Sequence, residues 1–302
     1  EGVLMRGRDA IAVAFRHPDG RIVWASEALD TGPHRWRLAK APLVRGLIVL
    51  YETLVVGTRW LIRSANIQAA GEEGEGAELG GGSVAILLGV TMILGVGFFF
   101  VVPLLIAQAV TDNSGSLGQH LIEGLIKVGL FLGYLALVSR APDIRRVFQY
   151  HGAEHMTIHA LEAGDPLTTD AVRKYPTAHP RCGTEFLVVL IALSILVFAI
   201  IGKQERLVGV VTRIVLIPVL AAVGYELLRW GARHRSNPIV SAIMWPGILV
   251  QMITTKRPSD DQIEVAIVSM EQALVADGER VPDGSELFER DRLDPEPAAA
   301  PA

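Results

Sequence analysis

The sequence predicts a mainly α-helical, polytopic membrane protein with about four transmembrane helices in two hairpins. Half of the 302 residues are hydrophobic, and the mean hydropathy of +0.37 is higher than soluble domains usually reach. The apolar residues are concentrated in long runs, and the polar residues lie in a few blocks between them. These blocks predict a small cytoplasmic part that contains an N-terminal β-hairpin.

The β-hairpin is predicted within residues 1–41, which form the first cytoplasmic region. Two β-rich runs in residues 10–28 flank the sequence HPDG, His17 to Gly20, which is typical of a tight turn. Because the chain opens on Glu1 and not on Met, we expect a few further residues to precede it in the full product.

An amphipathic helix is predicted at residues 42–68, lying on the membrane surface. Leucines recur there at helical spacing, and charged side chains interrupt them too often for a spanning helix. The interrupting residues are Arg45, Glu52, Arg59 and Arg63. Residues 69–83 are rich in Gly and Glu, which predicts a flexible linker.

Two transmembrane hairpins are predicted, at residues 84–138 and 186–230. Each contains two apolar runs that approach or reach the length needed to cross about 30 Å of hydrocarbon. Glu123 and Lys127 lie in the second run at i,i+4 spacing, which predicts an internal ion pair.

Residues 231–257 are predicted to form a re-entrant or interfacial segment. Its apolar run at 237–253 is short for a span, and Pro246-Gly247 lies near its middle, where we expect a break.

Basic residues near the ends of the spans set the predicted orientation. They are concentrated in the central loop, residues 139–185, and after the fourth span, whereas the 111–116 loop has none. Lys203 and Arg206 oppose this pattern mildly. The balance places both termini and the central loop in the cytoplasm.

The C-terminal part is predicted to contain one helix and a tail. Ser259 and Gln262 have the spacing of a capping box, so residues 258–277 are predicted to form a cytoplasmic helix. Residues 278–302 are charged and Pro-rich, which predicts disorder.

The central loop carries the sequence's most distinctive polar pattern. A helix is predicted from Pro142 to about Ala163, bounded by a first-turn proline and a Gly-Asp-Pro stop. At about 100° per residue, His151, His155 and Glu162 fall within roughly 40° of one another, and His159 lies about 40° further on. The helix therefore presents one stripe of potential metal ligands.

The five residues His151 to His155 also match the H-x-x-E-H motif. Two imidazoles one helical turn apart can bind one ion of zinc or another divalent metal, and Glu154 can then act as the general base of a hydrolytic site. A catalytic site needs a third protein ligand. The candidates are Glu162, His179, Cys182 and Glu226.

Simpler interpretations of the same residues remain open. The stripe fits an amphipathic surface helix whose polar side chains face water or bind Arg145 and Arg181, and it also fits a purely structural metal site. Cys182, the only cysteine, excludes an intramolecular disulfide and can be an inert small residue. Four isolated histidines, His17, His34, His120 and His234, are interpreted as turn, surface or interfacial residues.

Several blocks resemble the YqhQ-like family of bacterial membrane proteins. They read EGVLMRG, RGLIVLYETLVVGTRWLIRSA, YHGAEHMTIHALE, HPRCGTEFL, GYELLR and QIEVAI, and extend in order from Glu1 to about Leu274. Met156 stands where the family has lysine. The resemblance implies a multi-pass protein of the bacterial inner membrane and joins the blocks of His151, Glu154, His155, His179 and Cys182 in one pattern. The family is often labelled a predicted metal-dependent enzyme.

Three functions are compatible with these features. The first is a membrane metal-dependent hydrolase. The second is a non-enzymatic factor that supports another membrane complex, such as the protein-insertion machinery, with the His/Glu helix as a structural element. The third, favoured least, is a small transporter, which would need a homo-oligomer. Besides the lipid bilayer, a membrane-protein partner or a second copy is expected; nucleic acid is not, because no basic stretch is interleaved with aromatic residues.

Overall fold

The computed structural model describes residues 1–29, 41–73, 81–110, 117–179, 182–202, 204–234 and 236–293. Several sequence predictions fall outside these ranges: the centre of the linker, the 111–116 loop, His34, Arg181, Lys203 and the tail beyond residue 293. The strands are β1 (Gly2–Arg6), β2 (Ala10–Arg16), β3 (Ile22–Ala28) and β4 (Arg290–Arg292). The helices are α1 (Val44–Glu73), α2 (Gly81–Val96), α3 (Val102–Val110), α4 (Leu117–Val138), α5 (Pro142–Ala163), α6 (Thr169–Val172), α7 (Gly183–Ile201), α8 (Arg206–Arg233), α9 (Pro238–Thr254) and α10 (Asp260–Ala276).

Within the described ranges, four helices are long and apolar enough to cross a membrane, as predicted. The qualifying stretches are Gly89–Val110, Leu121–Val138, Gly183–Ile201 and Leu207–Arg233. A π-helical turn, Gly97–Val101, joins α2 to α3, and α8 continues through Pro218. Within this bundle α4 packs against α3 and α7, and α7 packs against α8 and α9.

The small sheet has the order β1-β2-β3-β4. The predicted hairpin corresponds to β2 and β3, which pair antiparallel around Gly20, a turn residue with a φ of 92°. β1 pairs antiparallel with β2, and β4 pairs parallel with β3. The sheet is therefore larger than a hairpin, and both ends of the described chain lie in it.

Alternating residues of β2 face two separate cores. Ala12 and Ala14 pack with α5 and α10 on one face, whereas Val13 and Phe15 pack against α1 on the other. Successive side chains of a strand point to opposite faces, so β2 is buried on both sides. The capping box predicted at Ser259 is present at the start of α10.

Helix α1 is longer than predicted, and it connects the sheet to the bundle. Its Trp60 is buried against the sheet, and its Arg45 forms an ion pair with Glu226 of α8. Leu54 and Leu61 remain exposed. Because α1 runs to Glu73 and α2 begins at Gly81, both ends of the predicted linker are helical.

Helix α9 differs from the predicted broken segment, since it continues through Pro246. It contacts the ends of two spans. A Cβ on Gly247 would lie 2.6 Å from Cγ of Glu185, in the first turn of α7, and a Cβ on Gly231, in the last turn of α8, would lie 3.1 Å from Cε of Met244.

The first part of the predicted disordered tail is ordered. The Glu286 amide donates to the Leu167 carbonyl at 3.0 Å, the Ser285 hydroxyl accepts from the Leu167 amide, and Arg290 of β4 forms an ion pair with the buried Glu271. The charged composition predicted disorder, but these contacts with distant elements hold residues 278–293 in place.

Three charged side chains lie inside the helix bundle. The predicted pair is present, with Lys127 Nζ 3.6 Å from Glu123 Oε1, and Arg213 of α8 binds the same carboxylate through both oxygens, the shortest distance being 2.8 Å. All three side chains are buried. Two cations therefore share one carboxylate, which links α4 to α8.

Candidate metal centre

Helix α5 has the predicted limits and carries most of the candidate ligands. Pro142 occupies its first turn, and Gly164 ends it in the left-handed conformation with a φ of 77°. One side of the helix packs on α10 and the sheet. The side with the histidines faces the loop before α7 and the end of α9, because His155 contacts Thr177 and His151 contacts Thr254.

A first group consists of His151, His155 and Cys182. One potential ligand atom from each of the three lies within 4.8 Å of the other two. The rings of the two histidines are 4.4 Å apart, and His151 Nε2 lies 3.2 Å from Cys182 Sγ. Two ligands on a tetrahedral zinc ion are about 3.3 to 3.6 Å apart for N–Zn and S–Zn bonds of ordinary length. The distance between His151 Nε2 and Cys182 Sγ is close to what a shared ion requires.

Main-chain carbonyls fix the tautomers of both histidines. His151 Nδ1 lies 2.9 Å from the Thr254 carbonyl oxygen, and His155 Nδ1 lies 2.6 Å from the Thr177 carbonyl oxygen. A carbonyl only accepts, so each Nδ1 carries the proton, and in the neutral ring each Nε2 keeps its lone pair. This outer hydrogen bond is the arrangement that orients histidine ligands in metal sites.

Cys182 precedes the first residue of α7 and caps that helix. Its Sγ accepts from the Thr184 amide at 3.4 Å, and the side chain is largely buried. A helix N-terminus favours negative charge, and the thiolate is the form in which cysteine binds metals. Cys182 lies at the start of α7 with its Sγ beside His151 Nε2.

A second group consists of His159, Glu162 and His179, whose potential ligand atoms also lie within 4.8 Å of one another. His179 Nε2 is 3.3 Å from Glu162 Oε2. The His179 ring is 4.5 Å from that of His159 and 5.7 Å from that of His155. His179 and Glu162 were predicted as possible third ligands for His151 and His155. They lie instead beside His159, about one helical turn beyond His155 on α5.

Gln251 of α9 holds the backbone of His179. Its Nε2 donates to the His179 carbonyl at 2.9 Å, and its Oε1 accepts from the His179 amide at 2.8 Å. The Gln251 side chain is fully buried. The sequence contains no sign of this contact, because a glutamine in an apolar run has no signature that reveals a partner 72 positions away.

Replacing Gln251 with leucine is expected to destabilise the protein by about 2 kcal/mol, because it leaves a buried amide and a buried carbonyl without partners. The midpoint of thermal unfolding in detergent measures this effect. Gln149→Leu is the matched control: Gln149 is half-buried and makes two long hydrogen bonds, to the Arg257 carbonyl at 3.3 Å and from Gln262 Nε2 at 3.5 Å, so its loss is expected to destabilise the protein by less than about 1 kcal/mol. Equal effects of the two substitutions would show that the hydrogen bonds from Gln251 to the His179 backbone do not stabilise the protein.

Glu154, the predicted general base, is half-buried and lies at the side of the row of potential ligands on α5. Burial raises the pKa of its carboxyl, and the neighbouring His151 partly offsets this effect. Within the part of the chain that the structure describes, no hydrogen bond or ion pair engages Glu154. Burial also lowers the pKa of His179 to about 4, against the opposing influence of Glu162, so this ring is neutral at pH 7.

Glu226, the remaining candidate ligand, lies elsewhere. It accepts from the Leu43 amide and from the Arg45 guanidinium, which joins α1 to α8. Sequence spacing could not decide this, since Glu226 lies near the predicted cytoplasmic end of the fourth span, within plausible reach of the loop.

Three comparisons with known proteins bear on this site. Residues 41–276 match the family described as "Protein of unknown function (DUF1385)". The chain is 32% identical over 285 residues to "Uncharacterized protein YqhQ" of Bacillus subtilis (strain 168), an alignment that covers 91% of this chain and 90% of that protein. No solved structure matches the chain.

Proposed function

The chain belongs to the DUF1385 family of YqhQ-like proteins, and from that premise we propose that it is a metal-dependent hydrolase acting at a membrane surface. The observation that carries the proposal is the convergence of His151, His155 and Cys182, whose ligand atoms lie within 4.8 Å of one another. Catalytic zinc sites use three protein ligands and keep a fourth position open. The described residues supply three.

The donor set fits zinc or a similar divalent ion. Two neutral imidazoles and one thiolate are the ligands that zinc prefers, and the carbonyls of Thr177 and Thr254 already orient both rings. An ion bound there would supply Lewis acidity, which activates water for hydrolysis. His151, His155 and Cys182 would hold it, and Glu154 would accept a proton from the attacking water.

We propose that the site lies at the cytoplasmic face of the bacterial inner membrane. β1 and β4 belong to one sheet, which supports both termini lying on the same side, as four spans in two hairpins require. Cys182 directly precedes the span in α7. Since α9 contacts the first turn of α7 and the last turn of α8, an interfacial position for α9 fits better than a span.

A non-enzymatic membrane factor is the second candidate, and one observation favours it. His155 is 2% exposed and Cys182 is 8% exposed, so a metal bound there would be well shielded, as in structural sites. In this case the metal would join α5 to α7, and the sheet with α1 and α10 would serve as a surface for a membrane-protein partner.

Metal analysis of the full chain, purified in detergent without chelators, tests metal binding. We expect at least one divalent ion per chain, and the double variant His151→Ala, His155→Ala is expected to lose one. His234→Ala is the matched control, because His234 is exposed and stacks on Trp230 away from the site. A wild-type protein without stoichiometric metal would overturn the proposal.

Anion binding separates the hydrolase from the structural alternative. With Co²⁺ in the site, azide is expected to change the visible absorption spectrum if one coordination position is open, because it can occupy that position. A spectrum that is unchanged at saturating azide indicates a closed, structural site. Glu154→Gln is expected to retain both the metal and the azide response, since Glu154 is not a ligand.

A further inference from the structure

We propose that His159, Glu162 and His179 form a second divalent-metal site, adjacent to the first along helix α5. The inference rests on the proposed function in taking α5 as a metal-binding helix, and its own evidence is separate. Their potential ligand atoms lie within 4.8 Å of one another. No residue of the first group is needed to complete this set.

The spacing of the helix explains why two groups form and not one. His151 and His159 are separated by eight residues, which corresponds to a rise of about 12 Å along an α-helix. Ligand-to-metal bonds are about 2.0 to 2.3 Å long, so one ion cannot bind all the donors along this stripe. His179 lies on the His159 side, with ring distances of 4.5 Å to His159 and 5.7 Å to His155.

The second group is held by the surrounding structure. Gln251 fixes the backbone of His179, whose side chain is 2% exposed. His159 Nε2 donates to the Ala178 carbonyl at 2.9 Å, which leaves Nδ1 with its lone pair. The His159 ring also stacks on Tyr175 at an interplanar angle of 9°. The two rings are therefore positioned before any ion binds.

The distance between Glu162 and His179 also fits a shared ion. Glu162 Oε2 accepts a hydrogen bond from His179 Nε2 at 3.3 Å. This is also the separation of about 3.3 Å for two ligands on a tetrahedral ion, and an ion bound there would displace the Nε2 proton. The Glu162 side chain is 38% exposed, which leaves the site accessible from solvent.

The two donor sets differ in chemistry. The first contains a thiolate and two imidazoles, and the second contains a carboxylate and two imidazoles. The first is thus the softer site and favours zinc, whereas the second suits zinc, manganese, iron or cobalt ions. Two adjacent ions are used by many hydrolases to stabilise the attacking and leaving oxygens of one substrate.

Titration of the metal-free full chain with Co²⁺ in detergent tests the proposal. The readouts are the number of ions bound per chain and the near-ultraviolet charge-transfer band that a cobalt–thiolate bond produces. We expect two ions in the wild-type protein, and the band arises from the first site alone. The variant His159→Gln, Glu162→Gln is expected to bind one ion and keep the band, whereas His151→Gln, Cys182→Ser is expected to bind one ion without the band.

The outcomes distinguish the two sites. One ion with the band in the wild-type protein overturns the second site and leaves the first in place. One ion without the band, lost in the His159→Gln, Glu162→Gln variant, overturns the first site and supports the second. No bound ion overturns both. His234→Gln is the matched control and is expected to bind two ions, and circular dichroism of each variant verifies that its helices are intact.

Discussion

Replacing Gly152 with alanine is expected to destabilise the protein by more than about 3 kcal/mol, beyond the usual cost of overpacking. A Cβ at this position would collide with the main-chain carbonyl oxygen of Lys256. The two segments cannot separate easily, because the Lys256 amide donates to the Phe148 carbonyl at 2.8 Å. The same substitution is expected to weaken metal binding, since it would push His151 away from Thr254.

The midpoint of thermal unfolding in detergent, together with the metal content, measures the effect of Gly152→Ala. Gly57→Ala is the matched control. Gly57 also lies in a helix, but a Cβ there has nothing within 4 Å, so alanine is expected to be neutral or to stabilise the protein by up to about 1 kcal/mol. Similar midpoints for the two variants would show that α5 and residues 254–256 are not packed as described.

Replacing Glu123 with alanine is expected to cost about 3–5 kcal/mol, the range observed when one partner of a buried ion pair is removed. Arg213 and Lys127 are 5% and 3% exposed, and both would lose the carboxylate that they share. Water cannot replace it easily inside an apolar bundle. The expected result is a lower unfolding midpoint or a loss of folded protein on extraction into detergent.

Replacing Lys127 with methionine is expected to destabilise the protein much less than Glu123→Ala. This substitution leaves the Arg213–Glu123 pair balanced in charge and keeps an unbranched side chain beside Phe100, over which Lys127 now lies at 5.2 Å. Methionine packs well against aromatic rings, so stability is expected to change by less than about 1.5 kcal/mol. A loss as large as that of Glu123→Ala would mean that the three charges stabilise the bundle only as a complete set.

Much of the helical architecture could be predicted from the sequence. The limits of α5 agree with the predicted ones, because a first-turn proline and a stop at Gly164 are local signals within a few residues of the helix ends. The same local chemistry identified the capping box at Ser259. Residues 278–293 were predicted incorrectly because composition alone cannot show that a three-residue strand has a partner such as β3.

The site was predicted in part, for a similar reason. Helical periodicity placed His151, His155, His159 and Glu162 on one stripe, because all four lie on one helix. Whether Cys182 or Glu226 reaches that stripe depends on how α7 and α8 pack, and spacing carries no information about this. Only Cys182 does so in the structure.

The sequence by itself determined that the chain has four apolar segments long enough to span a membrane and one polar helix with a stripe of potential ligands, because hydrophobicity and helical periodicity are properties of neighbouring residues. Only the tertiary structure decided that His179 lies beside His159 and that Gln251 hydrogen-bonds to the backbone of His179. It also decided which nitrogens carry protons, through Thr177 and Thr254. These features depend on contacts between residues far apart in the chain, which the packing of α5, α7 and α9 creates.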